Sequence, residues 1–303
     1  MRNSFIKKLT QLAKADERIV LLTADLGFSV LEEFAEQFPD RFYNVGVSEQ
    51  NMIGIATGLA EAGFIPFTYS IAPFSLLRPY EFIKNGPVLH NLPIRIVAIG
   101  PGFDYGNLGT THHLIEDIAV TRVFPNLSTY SPINSSNAGT ILEDSYKENN
   151  PIYYRIGKNL TSLTDDLAVE ETSNIIKLAE SDSSICVIGI GSITEELIKS
   201  KNSLDNKDDA SFYAIKKIDN KLSEELIAII QNYKIVITVE AHYVNGGIGS
   251  ILAEVIAENQ LSAKLYRLGV RELSNGVFGD TDFMYKKHKI SSNNITNLIN
   301  SIK

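Results

Sequence analysis

Two series of short, unbroken apolar runs set the limits on what this chain can form. Residues 18–24 (RIVLLTA), 64–70, 94–100, 127–131 and 152–155 recur through the first half; residues 185–190, 212–216, 235–240 and 264–268 recur through the second. Each run is too short for a helix and lacks the alternation of a half-exposed strand, so each reads as a strand buried on both faces. Between the runs, apolar residues stand at helical spacing. Phe5, Ile6, Leu9, Leu12 and Ala13 mark a helix over 3–15, and others are expected over 30–38, 74–84, 115–124, 135–148, 193–200, 224–231, 247–258 and 295–302. Strand–helix alternation of this kind predicts parallel sheets covered by helices on both faces. The expected fold class is α/β: two doubly wound domains, over 1–158 and 170–303. The polar, aperiodic stretch 157–182 is expected to supply the linker and the first edge elements.

Composition narrows the function classes. Of 303 residues, 44% are hydrophobic and 21% charged, as in a globular protein with a full core. A net charge of −8 argues against nucleic acid as the main partner. The apolar runs are far too short to span a bilayer, and the amphipathic N-terminus is broken by charge every few residues, unlike a signal peptide. Cys186, the single cysteine, sits in a strand-like run and reads as a small core residue; with no internal disulfide to form, a reducing, cytoplasmic setting is expected. The five histidines are too scattered to suggest a metal site.

One stretch carries chemistry at an unusual place. Residues 42–62 (FYNVGVSEQNMIGIATGLAEA) read as strand, turn and helix, with Ser48 as N-cap and Glu49 at the first helical position. Met52, Ile53, Ala56, Leu59 and Ala60 form its buried face. Gly54 and Gly58 cost helix propensity, which points to close approach by something. A carboxylate at that position complements the helix dipole or does catalytic work, and the local residues alone favour the first reading. Ligands of parallel sheets bind beyond the carboxyl ends of strands. Those ends here bring Asp25, Glu49, the apolar segment 70–74 and a glycine-rich loop (100–113) with His112 and His113.

The motifs TADLGFS, RFYNVGVSEQNMIGIATGLAEAGFIPF, PYEFIKN, LGTTHHLIEDIAVTRVFPNLSTYSP and PIYYRIGKN occur in this order. Together they resemble the pyrimidine-binding domain of transketolases, especially the split form whose other half is a separate chain. IVITVEAHYVNGGIGSILAEVIAE, then YRLGV, is similar to the transketolase C-terminal domain. The resemblance implies a thiamine-diphosphate fold in the first domain. It also implies that Glu49 hydrogen-bonds N1′ of the cofactor's aminopyrimidine, favouring the imino tautomer that takes the thiazolium C2 proton. Phe74 matches the ring-stacking position, Ile71 stands where the family more often has Phe, and Leu77 lies further along that wall. His112 matches the histidine that faces the reacting centre. His113 is a second substrate candidate, although a structural role is the favoured reading. Asp25 matches an aspartate near the cofactor cleft, and capping the turn at Gly27 explains it nearly as well. Arg155 matches an arginine that binds the sugar phosphate, with a domain-interface salt bridge as an equal alternative.

Departures from the family pattern sharpen the expectation. Leu108 replaces an Asp before the Gly-x-Thr-His, and a substrate-contacting histidine aligns with Gly100 or Pro101. Lost polar contacts change which hydroxyl pattern a site accepts, so an unusual sugar acceptor is expected. No Gly-Asp-Gly motif is present to hold diphosphate and Mg²⁺; Phe278-Gly279-Asp280-Thr281 lacks the second glycine. Both would be held by a partner chain, an N-terminal transketolase subunit carrying that motif, in an α2β2 assembly. Asn245-Gly246-Gly247-Ile248-Gly249 lacks the context of a dinucleotide site, and it reads with Glu240 and His242 as tight packing. The implied activity is two-carbon ketol transfer from a ketose (phosphate) to an aldose. The alternatives are a non-catalytic regulatory or scaffold subunit and a ketoacid dehydrogenase β-like subunit.

Overall fold

The apolar runs are the strands of two sheets. In the computed structural model, which describes residues 1–158, 173–273 and 275–302, the first half contributes β1 (Ile19–Thr23), β2 (Phe42–Asn44), β3 (Ile65–Ile71), β4 (Arg95–Ile99), β5 (Ser128–Tyr130) and β6 (Ile152–Ile156). The second half contributes β7 (Ile175–Ala179), β8 (Ile185–Ile190), β9 (Ser211–Ile215), β10 (Lys217–Ile218), β11 (Ile235–Tyr243) and β12 (Lys264–Val270). The sheet orders are β10-β5-β6-β4-β3-β1-β2 and β12-β11-β8-β9-β7.

Six strands of the first sheet run parallel. Its seventh, β10, comes from the second half and pairs antiparallel with β5, Lys217 opposite Tyr130. β7 likewise closes its sheet antiparallel to β9. The sheets are therefore mixed at their edges rather than wholly parallel. Part of the expected linker (159–172) lies outside the described residues, and Ile175–Ala179 is an edge strand, as expected of the end of that stretch.

Each face of the first sheet is covered. Helices Arg2–Ala15 and Ser135–Ser145 seal one side, packing Phe5, Leu9 and Leu142 onto Leu21, Phe67 and Tyr154. Helix Glu49–Glu61 seals the other with Met52, Ile53, Ala56 and Ala60 against Val20, Leu22 and Ile96. Burying such a face at roughly 25 cal/mol per Å² is what fixes the helix over the strand ends. Cys186 is fully buried in β8. The helix expected over 74–84 is broken instead into Ala72–Leu76 and Tyr80–Ile83, with a wider turn at Lys84–Val88. Pro79, lacking an N–H and crowding the preceding turn, accounts for the break. Helix Thr281–Lys287 was not marked by its apolar spacing; Asp280 caps it by accepting from the Phe283 N–H at 2.8 Å. No described helix is long and apolar enough to cross a membrane.

The halves meet along a polar seam. Tyr243 N donates to Ile115 O (2.7 Å), Ser131 N to Lys216 O (2.8 Å), and Arg122 pairs with Glu254. Gly246 sits at φ +85°, where a Cβ would come within 2.4 Å of the Ala119 side chain, so only glycine lets the halves close this tightly.

Candidate active site

β4, β3, β1 and β2 are neighbours and parallel, so the segments that follow them emerge on one edge. Asp25 follows β1 in the left-handed region (φ 58°). Its N–H donates to Asn44 Oδ1 (3.0 Å) and its carboxylate accepts from Asn44 Nδ2 (3.2 Å), which ties the ends of β1 and β2 together. Asp25 is itself exposed.

Glu49 follows β2 and is 1% exposed. An isolated buried carboxylate is costly, and two partners answer it. Arg78 Nη1 donates to Oε2 at 2.6 Å, a charge-assisted bond; Ser70 Oγ, at the end of β3, stands 3.4 Å from Oε1. Ser48 occupies the N-cap position, but its hydroxyl donates back to Val45 O (2.9 Å) and does not cap the helix as its residue type suggests.

From Glu49 a file of contacts runs across the cleft. The Arg78 guanidinium lies 4.4 Å from the Phe74 ring centroid. Phe74 is half-buried and meets the His112 ring edge-on at 5.3 Å. His112 Nδ1 stands 3.0 Å from Thr111 Oγ1, and its ring lies 6.4 Å from that of Tyr105, over which Lys158 places its ammonium at 4.4 Å. Below them the Asp104 carboxylate accepts from Lys158 N (2.7 Å), and burial pushes its pKa up to about 6. Glu49, Phe74 and His112 are thus brought together. Arg78, Tyr105, Asp104 and Lys158 were not anticipated from the sequence. Arg78 had a readable signal: it stands four residues after Phe74, a spacing that lets a cation meet a ring.

The other candidates separate. Ile71 ends β3, half-buried beside this file; Leu77 packs against the apolar cluster under helix Glu49–Glu61. His113 faces inward at 5% exposure. Its Nε2 is 3.0 Å from Gly106 O, its ring stands edge-on to Phe103, and burial pushes its pKa down. Arg155 is 2% exposed in the seam between the halves. Its Nε donates to Asp117 Oδ2 (2.7 Å), the oxygen that also takes the Tyr153 hydroxyl (3.0 Å), and its Nη2 reaches Ala241 O at 3.4 Å. His113 and Arg155 therefore stand apart from this file of contacts, His113 Nε2 against Gly106 O and the Arg155 guanidinium against Asp117.

The glycine cluster of the second half is filled from within. Glu240, fully buried, accepts from Ile248 N (2.7 Å) and Gly249 N (3.0 Å) at the start of helix Ile248–Glu258. That carboxylate already occupies the helix start. His242 lies beside it and bridges the halves, 3.3 Å from Ala119 N and 2.6 Å from Tyr243 O. Among the described residues no group of three or more His, Cys, Asp or Glu side chains is placed to hold a metal ion.

Comparison with known proteins places this geometry. Residues 1–163 match the family described as transketolase, pyrimidine binding domain, and residues 175–295 the transketolase C-terminal domain. The chain is 33% identical, over 99% of its length and 95% of the relative's, to a putative transketolase C-terminal section of Methanocaldococcus jannaschii. It is 30% identical, over 100% and 98%, to one subunit of an apulose-4-phosphate transketolase of Actinobacillus succinogenes. Among solved structures it is similar to a split gene transketolase described as an inactive β4 tetramer, with a TM-score of 0.84, 28% identity, and coverage of 99% of this chain and 96% of that one.

Proposed function

The chain belongs to the transketolase family, and from that premise we propose that it is the pyrimidine-binding subunit of a split, thiamine diphosphate-dependent transketolase. The observation that carries the reading is Glu49: a carboxylate 1% exposed, at the edge where four parallel strands end, linked through Arg78 to one aromatic ring and beyond it to one histidine. Thiamine diphosphate, when bound, supplies the carbon nucleophile and the electron sink for transfer of a two-carbon ketol unit. The residues suit the pyrimidine end of that group. Arg78 fixes Glu49 Oε2, so Oε1, with only the long 3.4 Å approach of Ser70, is the oxygen left to accept from a ring nitrogen. Phe74 offers the apolar face against which a planar ring would rest, with Ile71 beside it. His112, its Nδ1 engaged by Thr111, keeps Nε2 for holding or moving a proton on substrate.

The diphosphate and Mg²⁺ would be held by a partner subunit carrying a Gly-Asp-Gly motif, most simply in an α2β2 assembly. Two features support a partner beside this cleft. Helix Glu49–Glu61 exposes Ile55 and the turn before it exposes Val47, with Phe82 and Leu89 close in sequence to the adjoining turn. At Gly54 and Gly58 nothing among the described residues beyond the helix itself lies within 4 Å of where a Cβ would stand, which suits a close neighbour from outside. The inactivity of the solved relative as a β4 tetramer suits a subunit that lacks half of a site. For the substrate, Leu108 (53% exposed) at the edge of the histidine loop favours an acceptor other than the usual pentose phosphates. The relative named for apulose-4-phosphate is consistent with that breadth. Leu108 is also the observation that favours the second reading, a non-catalytic subunit.

The test is to purify both chains together, add thiamine diphosphate and Mg²⁺, and assay ketol transfer over a panel of aldoses. Glu49→Gln should lower kcat by about 10²–10⁴-fold while the complex still assembles. Cofactor binding with transfer intact in Glu49→Gln would sink the mechanism; a complex that binds no cofactor would leave the non-catalytic reading.

A further inference from the structure

A second cavity, of about 360 Å³, opens on the far side of the second sheet's edge. Its wall is cationic in a chain whose net charge is −8. Arg267 on β12 and Arg271 just beyond it face Lys287, His288 and Lys289 at the end of helix Thr281–Lys287, with Glu272 the single carboxylate of the lining.

The lysines alone would be unremarkable, because cations at a helix C-terminus complement its dipole. The arginines come from a strand and have no such reason to gather there. Among the described residues, neither arginine and neither Lys289 nor Glu272 takes part in an ion pair. What holds the side chains is backbone. Arg267 Nη1 donates to Val244 O (3.1 Å), Arg271 Nη2 to Arg267 O (2.8 Å) and Lys287 Nζ to Val277 O (3.0 Å). Each arginine gives one donor in these bonds, and a guanidinium has five. The positions are fixed while donors remain. His288 adds a separate sign: it is 8% exposed, and its Nε2 is buried with no hydrogen-bond partner, which native proteins seldom leave unanswered. Its ring is stacked on Phe103 (5.1 Å, 2°), and Phe103 meets His113 edge-on at 5.1 Å.

We propose that this cavity is a binding site for the phosphate group of a small phosphorylated metabolite, separate from the cofactor cleft. Planar guanidinium forks match a phosphate bidentately, and lysines add point charge. A volume of this size sits at the low end of small-molecule pockets: more than a bare phosphate needs, and enough for a phosphorylated sugar. Ligand bound there would be registered at His288 and, through Phe103, at His113. The proposal does not depend on the catalytic reading.

The experiment uses the full chain with ¹⁵N-labelled histidines, titrated at constant ionic strength with ribose 5-phosphate and, separately, with inorganic phosphate. The five histidine resonances are followed, that of His288 being assigned by its loss in His288→Gln. The expected result is a saturable shift at His288 with the ester, tighter than with inorganic phosphate. The double variant Arg271→Gln, Lys289→Gln should weaken it at least about tenfold, since charge-assisted bonds contribute on that order. A shift that never saturates, that survives the double variant, or that appears only at His112 would overturn the site. Equal affinity for inorganic phosphate would overturn the assignment to a phosphate ester.

Discussion

Glu49, Arg155 and Glu240 are three charges of very low exposure with three different answers to the same problem. Glu49 keeps one oxygen lightly engaged, which suits a group that must accept a new partner. Arg155 is answered by an ion pair: its Nε donates to Asp117 and its Nη2 reaches Ala241 O, with Tyr153 on the same carboxylate. Removing one side of a buried pair leaves the other uncompensated, so Arg155→Met should cost about 3–5 kcal/mol of stability. Asp117→Asn added to it should recover much of that loss, as read by denaturant midpoints. If Arg155→Met left stability unchanged but raised KM for a sugar phosphate in the assembled enzyme, the seam assignment would be wrong and the sequence resemblance right. That resemblance placed Glu49, Phe74 and His112 because a motif carries both residue type and position along a strand end. It could not place the Arg155 guanidinium, because the same residue type serves a phosphate or a carboxylate, and only the second sheet decides which is near.

At the level of elements, the apolar runs were readable and their edges were not. Parallel strands buried on both faces leave an unmistakable hydrophobic signature, whereas two-residue β10 and antiparallel β7 carry too little of one. The split of the 74–84 segment was legible in principle from Pro79. Helix Glu49–Glu61 yields a two-sided prediction. Gly54→Ala and Gly58→Ala meet open space, so each should stabilise the isolated chain by up to about 1 kcal/mol through helix propensity, raising its melting temperature. The same substitutions should weaken assembly with the partner subunit in a co-purification titration; undiminished assembly would remove that helix face from the interface. The contact between β11 and helix Ile248–Glu258 gives a pH dependence. Burial pushes the Glu240 pKa up to about 7 although two backbone donors and the charges of Arg155 and Arg267 pull it down. Unfolded, it would titrate near 4.3. A raised carboxyl pKa means the folded state binds the proton more tightly, so this contribution is present below about pH 4 and is lost as pH rises to about 7. Glu240→Gln removes the titration and keeps one acceptor. Its stability relative to wild type should therefore climb between pH 4.5 and 7, a window read by unfolding curves of both proteins. His242 is common to both and cancels to first order.

At the scale of the whole molecule, the proposed function makes half a site the central property. Thiamine diphosphate with Mg²⁺ should leave the melting temperature of the chain alone unchanged and raise that of the two-chain complex by several degrees. A clear shift with the chain alone would mean it holds the cofactor unaided. Within the chain, the seam hydrogen bonds, Arg122–Glu254 and the close approach at Gly246 make the two sheets one body. β10 carries that union furthest, since Lys217 and Ile218 finish a sheet otherwise complete by Ile156. During synthesis, β5 must therefore wait with an open edge until nearly three quarters of the chain has emerged from the ribosome. An open parallel-sheet edge is a template for other chains. The time spent translating residues 157–218 is thus the interval in which this protein is most exposed to mispairing, and slow codons there would be expected to lower its yield more than the same codons after β10.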